Sequence, residues 1–326
     1  MELTVRTREV PFAFPYTYAR GHDLSCSLVQ VEVSDEGFVG RGEGAPFESF
    51  FDHSADSVVA QLEGIRTRIE QGVRRSELST LLPPGPARNA VDAALWDLEA
   101  KQQGSRVWRL LDLPEPVPLE IMATISLAGR EQFLRELQDT STRRKLKLKL
   151  GSDDDIARLE TTRKLRPDAE LVVDVNSGWD LRTLTTMLPI LQEHDVSMIE
   201  QPVAARYEDG LRDLPHSVPF IADESFASEE DLPRVRERYD GVNVKLDKCG
   251  GLSAALRIIG RAQRDGLRIM VGCLPGSSLS AAVGFHAAAR AEFVDLDGHL
   301  WLVEDTQPAM ACDNGWLRPP TPELWG

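Results

Sequence analysis

The chain has 326 residues, 42% of them hydrophobic and 27% charged; this is a globular composition, long enough for one large domain and a smaller one, and it excludes a disordered or fibrous protein. Fifty-two acidic residues against 37 basic ones leave a formal charge of −15 with no basic block, which argues against nucleic acid and anionic membrane as partners and favours a small ligand. Cys26, Cys249, Cys273 and Cys312 lie far apart without a C-x-x-C pair, so they read as free thiols rather than as a zinc site or a disulfide framework.

Met1 to Arg6 carry charges where a signal peptide needs an apolar core, and no apolar run approaches the roughly 20 residues of a membrane span; the expectation is a cytoplasmic protein. Residues 3–10, 27–33 and 38–43, with a turn at Asp35-Glu36-Gly37, read as a meander of strands. Helical stretches follow at 54–71 and 87–102, the latter an ordinary packing helix with Val91, Ala94, Leu95 and Leu98 at helical spacing. Residues 1–115 are thus expected to form an α+β domain.

From Val117 the pattern changes to short β-rich runs separated by amphipathic, charge-rich stretches. The runs are 121–126, 145–150, 171–175, 198–202, 219–225, 241–246, 268–273 and 293–297. Each step has the length of one strand, one helix and two short loops, which implies parallel strands with right-handed crossovers. Eight such strands predict a closed barrel over residues 116–298, with room for only seven helices, for example at 153–165 and 252–265. The remainder, 299–326, is rich in proline and is expected to return across the N-terminal domain.

The placement of charge carries the functional signal. In Lys145-Leu146-Lys147-Leu148-Lys149-Leu150, strict alternation separates lysines from leucines. An isolated strand of this kind would be an edge strand with a solvated lysine face; inside a barrel the leucines pack against helices and Lys147 and Lys149 point inward. Asp174 and Asn176 end the third strand, Glu200 the fourth, Asp223 and Glu224 the fifth, Lys245 the sixth, Asp295 and Asp297 the eighth. These converge on the mouth where barrel enzymes place their chemistry, and burying them unpaired would cost several kcal/mol each.

Asp174, Glu200 and Asp223 offer three hard oxygen ligands without histidine or cysteine, a set that suits Mg²⁺. Lys149 and Lys245 stand four strands apart on an eight-stranded ring and are expected to face each other across the cavity. Lys147 lies about 6.6 Å from Lys149 along the strand and would oppose its protonation by roughly 2.5 kcal/mol, about two pKa units. Lys149 is therefore expected to be a neutral base near pH 7, tuned by Lys147. Lys145 and Lys248 have no partner in this scheme and read as solvated.

Lys147-Leu148-Lys149-Leu150-Gly151, Val173-Asp174-Val175-Asn176, Ile199-Glu200-Gln201-Pro202, Ala222-Asp223-Glu224-Ser225 and the run from Asn243 to Gly251 resemble, in order, the motifs of the enolase superfamily, in particular the muconate-lactonizing-enzyme subgroup and its dipeptide epimerases. The resemblance implies a modified (β/α)7β TIM-like barrel under an N-terminal α+β capping domain. It also implies one Mg²⁺ on Asp174, Glu200 and Asp223, with Asn176 and Glu224 around them, and a 1,1-proton transfer next to a substrate carboxylate, with Lys149 and Lys245 as paired acid and base. Asp295-Leu296-Asp297 is similar to the D-x-D pair that accepts a dipeptide's ammonium group.

Arg20, on a mobile loop near residues 16–23, resembles the cation that meets an acidic side chain of the substrate. Cys273 and Ser277, in Cys273-Leu274-Pro275-Gly276-Ser277-Ser278, stand where many relatives carry a glutamate. The absence of histidine at the ends of strands six and seven disfavours the sugar-acid dehydratase branches. The expected function is a Mg²⁺-dependent epimerase of dipeptides with L-Ala-D/L-Glu as default substrate. The alternatives are an o-succinylbenzoate synthase or cycloisomerase of the same subgroup, and a barrel that binds ligand without turnover. No nucleic-acid or membrane partner is expected, and a homo-oligomer is left open.

Overall fold

The computed structural model describes residues 1–48 and 53–326. Three antiparallel strands, β1 (Glu2–Tyr18), β2 (Gly21–Asp35) and β3 (Phe38–Gly44), form the first sheet. Helices α1 (Ala55–Glu70) and α2 (Pro86–Gln102) pack on it and enclose a core that includes Val29, Val31, Val33, Leu62, Ala90 and Leu98. Glycine alternates along β3 because α2 lies directly on that strand: a Cβ on Gly42 would collide with the carbonyl oxygen of Ala90. The first two strands run longer than the sequence pattern suggests. They continue as a hairpin through Tyr16, paired with Asp23, to a turn at Tyr18–Gly21, after an irregularity between Pro11 and Tyr16. This hairpin occupies residues 16–23, expected as a mobile loop.

Eight parallel strands follow: β4 (Ala123–Ile125), β5 (Lys145–Lys149), β6 (Glu170–Asp174), β7 (Val196–Glu200), β8 (Phe220–Ala222), β9 (Gly241–Lys245), β10 (Arg268–Gly272) and β11 (Phe293–Asp295). They lie side by side in chain order. The Met122 amide donates to the Val294 carbonyl at 2.9 Å, joining the first strand to the last.

Five crossovers contain a full helix: α3 (Arg130–Asp139), α4 (Asp155–Leu165), α5 (Leu181–Glu193), α6 (Leu252–Arg264) and α7 (Ser278–Ala288). The other two differ from expectation. The fourth is a 3₁₀ stretch, Ala205–Asp213, and the fifth is a single turn, Leu232–Val235, after a short 3₁₀ segment. Gly210, Pro215, Pro219 and Pro233 leave too little uninterrupted chain there for a long helix.

The barrel interior is tiered. Met122, Val172, Met198, Ile221, Met270 and Phe293 form an apolar cluster inside it. Two residues further along the strands, the period of two brings Thr124, Asp174, Glu200, Asp223, Gly272 and Asp295 to the same side. The apolar tier thus fills the barrel below a charged tier at the C-terminal ends of the strands. The chain's last residues cross back to the first domain: the Trp325 indole donates to the carbonyls of Arg41 and Ala93, and the Gly326 amide to Asp97. Among the described residues, no helix is long and apolar enough to cross a membrane.

Candidate active site

On β5, Leu146 and Leu148 join the core between strands and helices, while Lys147 and Lys149, 3% and 2% exposed, turn into the barrel. This rules out a solvated lysine face. Asp174 is paired in register with both Lys149 and Glu200, and Asp174, Glu200 and Asp223 are completely buried. The amines find these carboxylates. Lys149 Nζ lies 2.6 Å from Asp174 Oδ2 and 2.8 Å from Asn176 Oδ1. Lys245 Nζ lies 2.9 Å from Asp223 Oδ2. Lys147 bonds Asp295 Oδ2 and stands 3.6 Å from both Asp174 Oδ2 and Glu200 Oε2. Lys147, Lys149 and Lys245 line one cavity of about 20 Å³ with Asn176, Cys273, Asp295 and Asp297, space for about one water molecule.

The pairing with Asp174 acts on Lys149 against the effect expected from Lys147. Burial works against its charge, and Lys147 adds to that effect, but Asp174 and Tyr16 outweigh both and raise the amine above the ordinary lysine value. A contact at 2.6 Å outweighs a like charge two residues away. Lys245 is raised in the same way, burial opposing and Asp223 prevailing. Glu200 goes the other way: burial and the neighbouring Asp174 charge push its carboxyl up to about 8. Asp223 is held far below the usual range because Lys245 and Lys248 overcome the effect of burial.

Lys248, expected to be solvated, is buried. Its Nζ donates to Asp223 Oδ1 and to the Asp223 carbonyl, both at 2.7 Å, and to the Asn243 carbonyl at 3.2 Å. The chain turns into a single helical turn, Leu246–Cys249, directly after β9, and three residues on this turn bring Lys248 back to the side of Lys245. Lys145 does lie at the surface, paired with Glu170 at 3.3 Å.

The chemistry of the three acids suits a hard divalent cation, since the donors are all carboxylate oxygens and Glu200 Oε2 is buried without a hydrogen-bond partner. Here the carboxylates are held by ammonium groups, and among the described residues no three metal-binding side chains are gathered around a common point. Asn243 Nδ2 fixes Glu200 through Oε1 at 2.6 Å, which leaves Oε2 as the available donor.

The hairpin of the first domain closes the mouth. Tyr16 stacks on Trp301 with ring centroids 4.5 Å apart, and Lys149 Nζ lies 5.5 Å from the Tyr16 ring centre. The Leu127 amide donates to the Thr17 carbonyl at 2.8 Å. Gly151 makes the approach possible: its φ is +116° and a Cβ there would stand 2.6 Å from Ala19 Cβ. Arg20 reaches Glu224 Oε1 at 3.6 Å, and Glu224 also accepts from Asn176 Nδ2 at 3.2 Å. Burial, with Asp223 and Asp174 nearby, lifts the Glu224 carboxyl to about 7.

On the eighth strand, Asp297 accepts the Thr124 amide at 2.8 Å. Burial and Asp295 lift the Asp297 carboxyl to about 6, while Asp295 Oδ1 is buried without a partner. Cys273 lines the cavity; Ser277 does not. Ser277 caps α7, and its amide and hydroxyl donate to Glu43 of the first domain at 2.8 and 2.7 Å. The sequence reading of Ser277 as a substrate contact is corrected accordingly, because a hydroxyl committed to a cap and a carboxylate faces away from the cavity.

Residues 116–323 match the family described as enolase C-terminal domain-like, and residues 1–112 match the mandelate racemase/muconate lactonizing enzyme N-terminal domain. An L-Ala-D/L-Glu epimerase from Escherichia coli is 34% identical over 94% of this chain and 96% of its own. A hydrophobic dipeptide epimerase from Roseobacter litoralis is 33% identical over 98% and 96%, and an N-acetyl-D-glutamate racemase from Pseudoalteromonas is 33% identical over 92% and 95%. Among solved structures, an enolase family member from Agrobacterium tumefaciens with homology to dipeptide epimerases, bound to sodium and L-Ala-L-Glu, is 39% identical and superposes with a TM-score of 0.96 over 99% of both chains.

Proposed function

The chain belongs to the enolase superfamily, with both domains of its mandelate racemase/muconate lactonizing enzyme branch, and on that premise we propose that it is a Mg²⁺-dependent epimerase of dipeptides. The observation that carries this reading is that two buried lysines, Lys149 from β5 and Lys245 from β9, line the same small cavity as Asp295 and Asp297. Strands four places apart on an eight-stranded ring approach a ligand from opposite sides, as inversion at one carbon requires.

In this mechanism one lysine takes the proton from the substrate carbon next to the carboxylate, and the other returns a proton to the opposite face. The roles exchange with the direction of reaction, so the amine that acts as base must start neutral and its partner protonated; Mg²⁺ held by Asp174 and Asp223 would offset the carboxylate charge that otherwise keeps Lys149 and Lys245 protonated. Asn176, accepting from Lys149, and Asp223, accepting from Lys245, orient the two amines. Asp174, Glu200 and Asp223 would hold Mg²⁺, which when bound supplies positive charge against which electron density can build at the substrate carboxylate. Asp297 and the unpartnered oxygen of Asp295 would accept the substrate's ammonium group.

Cys273 would form part of the cavity wall. Arg20, now on Glu224, would meet an acidic side chain on the second residue, and this supports L-Ala-D/L-Glu as the default substrate. Tyr16 and Trp301 would exclude water from the reacting carbon.

A second reading, racemisation of an N-acylated amino acid, is favoured by the similarity to the N-acetyl-D-glutamate racemase, but such a substrate has no ammonium group for the acid pair. An o-succinylbenzoate synthase or cycloisomerase would likewise leave Asp295 and Asp297 without a role. The test is incubation of L-Ala-L-Glu and N-acetylglutamate in D₂O with Mg²⁺, followed by mass spectrometry. Deuterium at the glutamate α-carbon of the dipeptide supports the epimerase. Exchange of N-acetylglutamate alone, or exchange of neither with dehydration of the succinyl-cyclohexadiene carboxylate, overturns it.

A further inference from the structure

The two amines assigned to opposite faces of the carbon are not held alike. Among the described residues, Lys245 Nζ has a single hydrogen-bond partner, Asp223 Oδ2 at 2.9 Å, and that carboxylate belongs to the acids assigned to the metal. Lys149 Nζ bonds Asp174, another of those acids, but also Asn176 Oδ1 at 2.8 Å. It lies 5.5 Å from the ring centre of Tyr16, with whose hydroxyl it can share a hydrogen bond, and both residues line the same cavity.

The Tyr16 ring has little freedom. It stacks on Trp301, meets Phe12 edge-on at 6.4 Å and leans on Tyr18 at 5.5 Å between centroids. Its backbone resumes the β1–β2 ladder opposite Asp23, and the next residue is tied to the barrel by the Leu127 amide on the Thr17 carbonyl. Burial raises the pKa of the phenol, with Lys149 and Lys147 opposing, so the phenol stays neutral and offers an oxygen lone pair to an N–H.

We propose that Tyr16 is a positioning residue for Lys149: its phenol oxygen accepts one N–H of the amine, Asn176 accepts a second, and the remaining corner of the nitrogen is left for the proton in transit. The inference deepens the epimerase reading above and rests on it. A neutral amine has two N–H bonds and one lone pair. With both N–H bonds committed, the lone pair is the corner that takes the α-proton as the C–H bond breaks and its electron pair passes toward the carboxylate; in the reverse direction the same corner, now an N–H, gives a proton back. Neither acceptor belongs to the acids assigned to the metal, so both stay with the amine when those acids are engaged elsewhere. Lys245 has no such pair of acceptors among the described residues, so the hairpin of the first domain acts on one face of the carbon alone.

The experiment compares the wild-type holoenzyme with Tyr16→Phe, which keeps the stacked ring and loses the hydroxyl, on L-Ala-L-Glu and L-Ala-D-Glu carrying hydrogen or deuterium at the glutamate α-carbon. The expected result is a kcat lower by about 3–10-fold, the range of one neutral hydrogen bond, with KM changed by less than about twofold. The equilibrium between the isomers ties kcat/KM in the two directions together, so isotope effects tell the faces apart. The deuterium effect on kcat/KM should rise for the isomer that Lys149 deprotonates, identified as the one that still exchanges in Lys245→Ala, and fall toward one for its epimer. Isotope effects that move alike in both directions, an unchanged kcat, or a loss of Mg²⁺ affinity of about tenfold in calorimetry overturns the proposal with the epimerase reading intact. Failure of the wild type to epimerise either dipeptide overturns the epimerase reading itself, and the proposal with it.

Discussion

Lys248 Nζ grips Asp223 twice, at 2.7 Å to its carboxylate Oδ1 and at 2.7 Å to its backbone carbonyl. The side chain and the main chain of one proposed metal ligand are thereby fixed by a single buried cation, while Lys245 holds the other carboxylate oxygen. Replacing Lys248 with methionine keeps the volume and removes both bonds. Mg²⁺ affinity, measured by calorimetry on the metal-free protein, is expected to fall about 10–100-fold. Lys145→Met, which removes a surface pair with Glu170, is expected to leave it unchanged.

Lys149→Ala and Lys245→Ala should each reduce epimerisation by at least about a thousandfold, because in the proposed mechanism each deletes the amine assigned to one face of the carbon. The two variants should differ in which stereoisomer still exchanges its α-proton with solvent D₂O, since the remaining lysine serves the other face. Loss of exchange from the same isomer in both would contradict the opposed arrangement.

Asp297→Asn should act on binding. It keeps the shape and an acceptor for the Thr124 amide but removes the charge offered to an ammonium group. KM for L-Ala-L-Glu is expected to rise about tenfold or more, with a smaller change in kcat. Steady-state kinetics by polarimetry separates the two parameters.

Gly151→Ala tests the contact between the hairpin and the barrel. The backbone there has φ of +116°, and the new methyl would meet Ala19 at 2.6 Å. A loss of about 1–3 kcal/mol in denaturant unfolding is expected, with reduced activity because Tyr16 and Arg20 ride on the displaced strand pair.

Buried His286 accounts for part of the acid sensitivity to be expected. Desolvation lowers its pKa from 6.5 to about 4, its Nδ1 faces the Ala282 carbonyl, and its Nε2 has no partner. The unfolded chain therefore takes up a proton below pH 6.5 that the folded chain refuses until about pH 4. Stability from this residue is intact above 6.5 and falls as pH drops through that window, with a slope of up to about 1.4 kcal/mol per pH unit. His286→Phe should flatten the unfolding free energy between pH 6.5 and 4 in urea titrations at stepped pH.

Much of this arrangement was legible in the sequence because a strand has a period of two. Alternation on β5 set Lys147 and Lys149 apart from their leucines, and the even spacing of β-rich runs gave the barrel. Lys248 was hidden because it lies just past the end of β9, where one helical turn replaces that period by another. Ser277 was misread because a hydroxyl at a helix start is satisfied by whatever packs over it, here Glu43 from more than two hundred residues away. Spacing along β5 reveals the repulsion between Lys147 and Lys149 but not the 2.6 Å approach of Lys149 to Asp174 on the next strand. The irregular fourth and fifth crossovers differ from expectation because a count of intervening residues is blind to where glycine and proline interrupt them.

The seam between the first and last barrel strands is fastened by the Met122 amide on the Val294 carbonyl and by the Asp297 carboxylate on the Thr124 amide. Asp297 is thus at once a clasp of the ring and part of the cavity wall. Whatever that carboxylate meets in the cavity also bears on the clasp, so closure of the barrel is tied to the contents of its mouth.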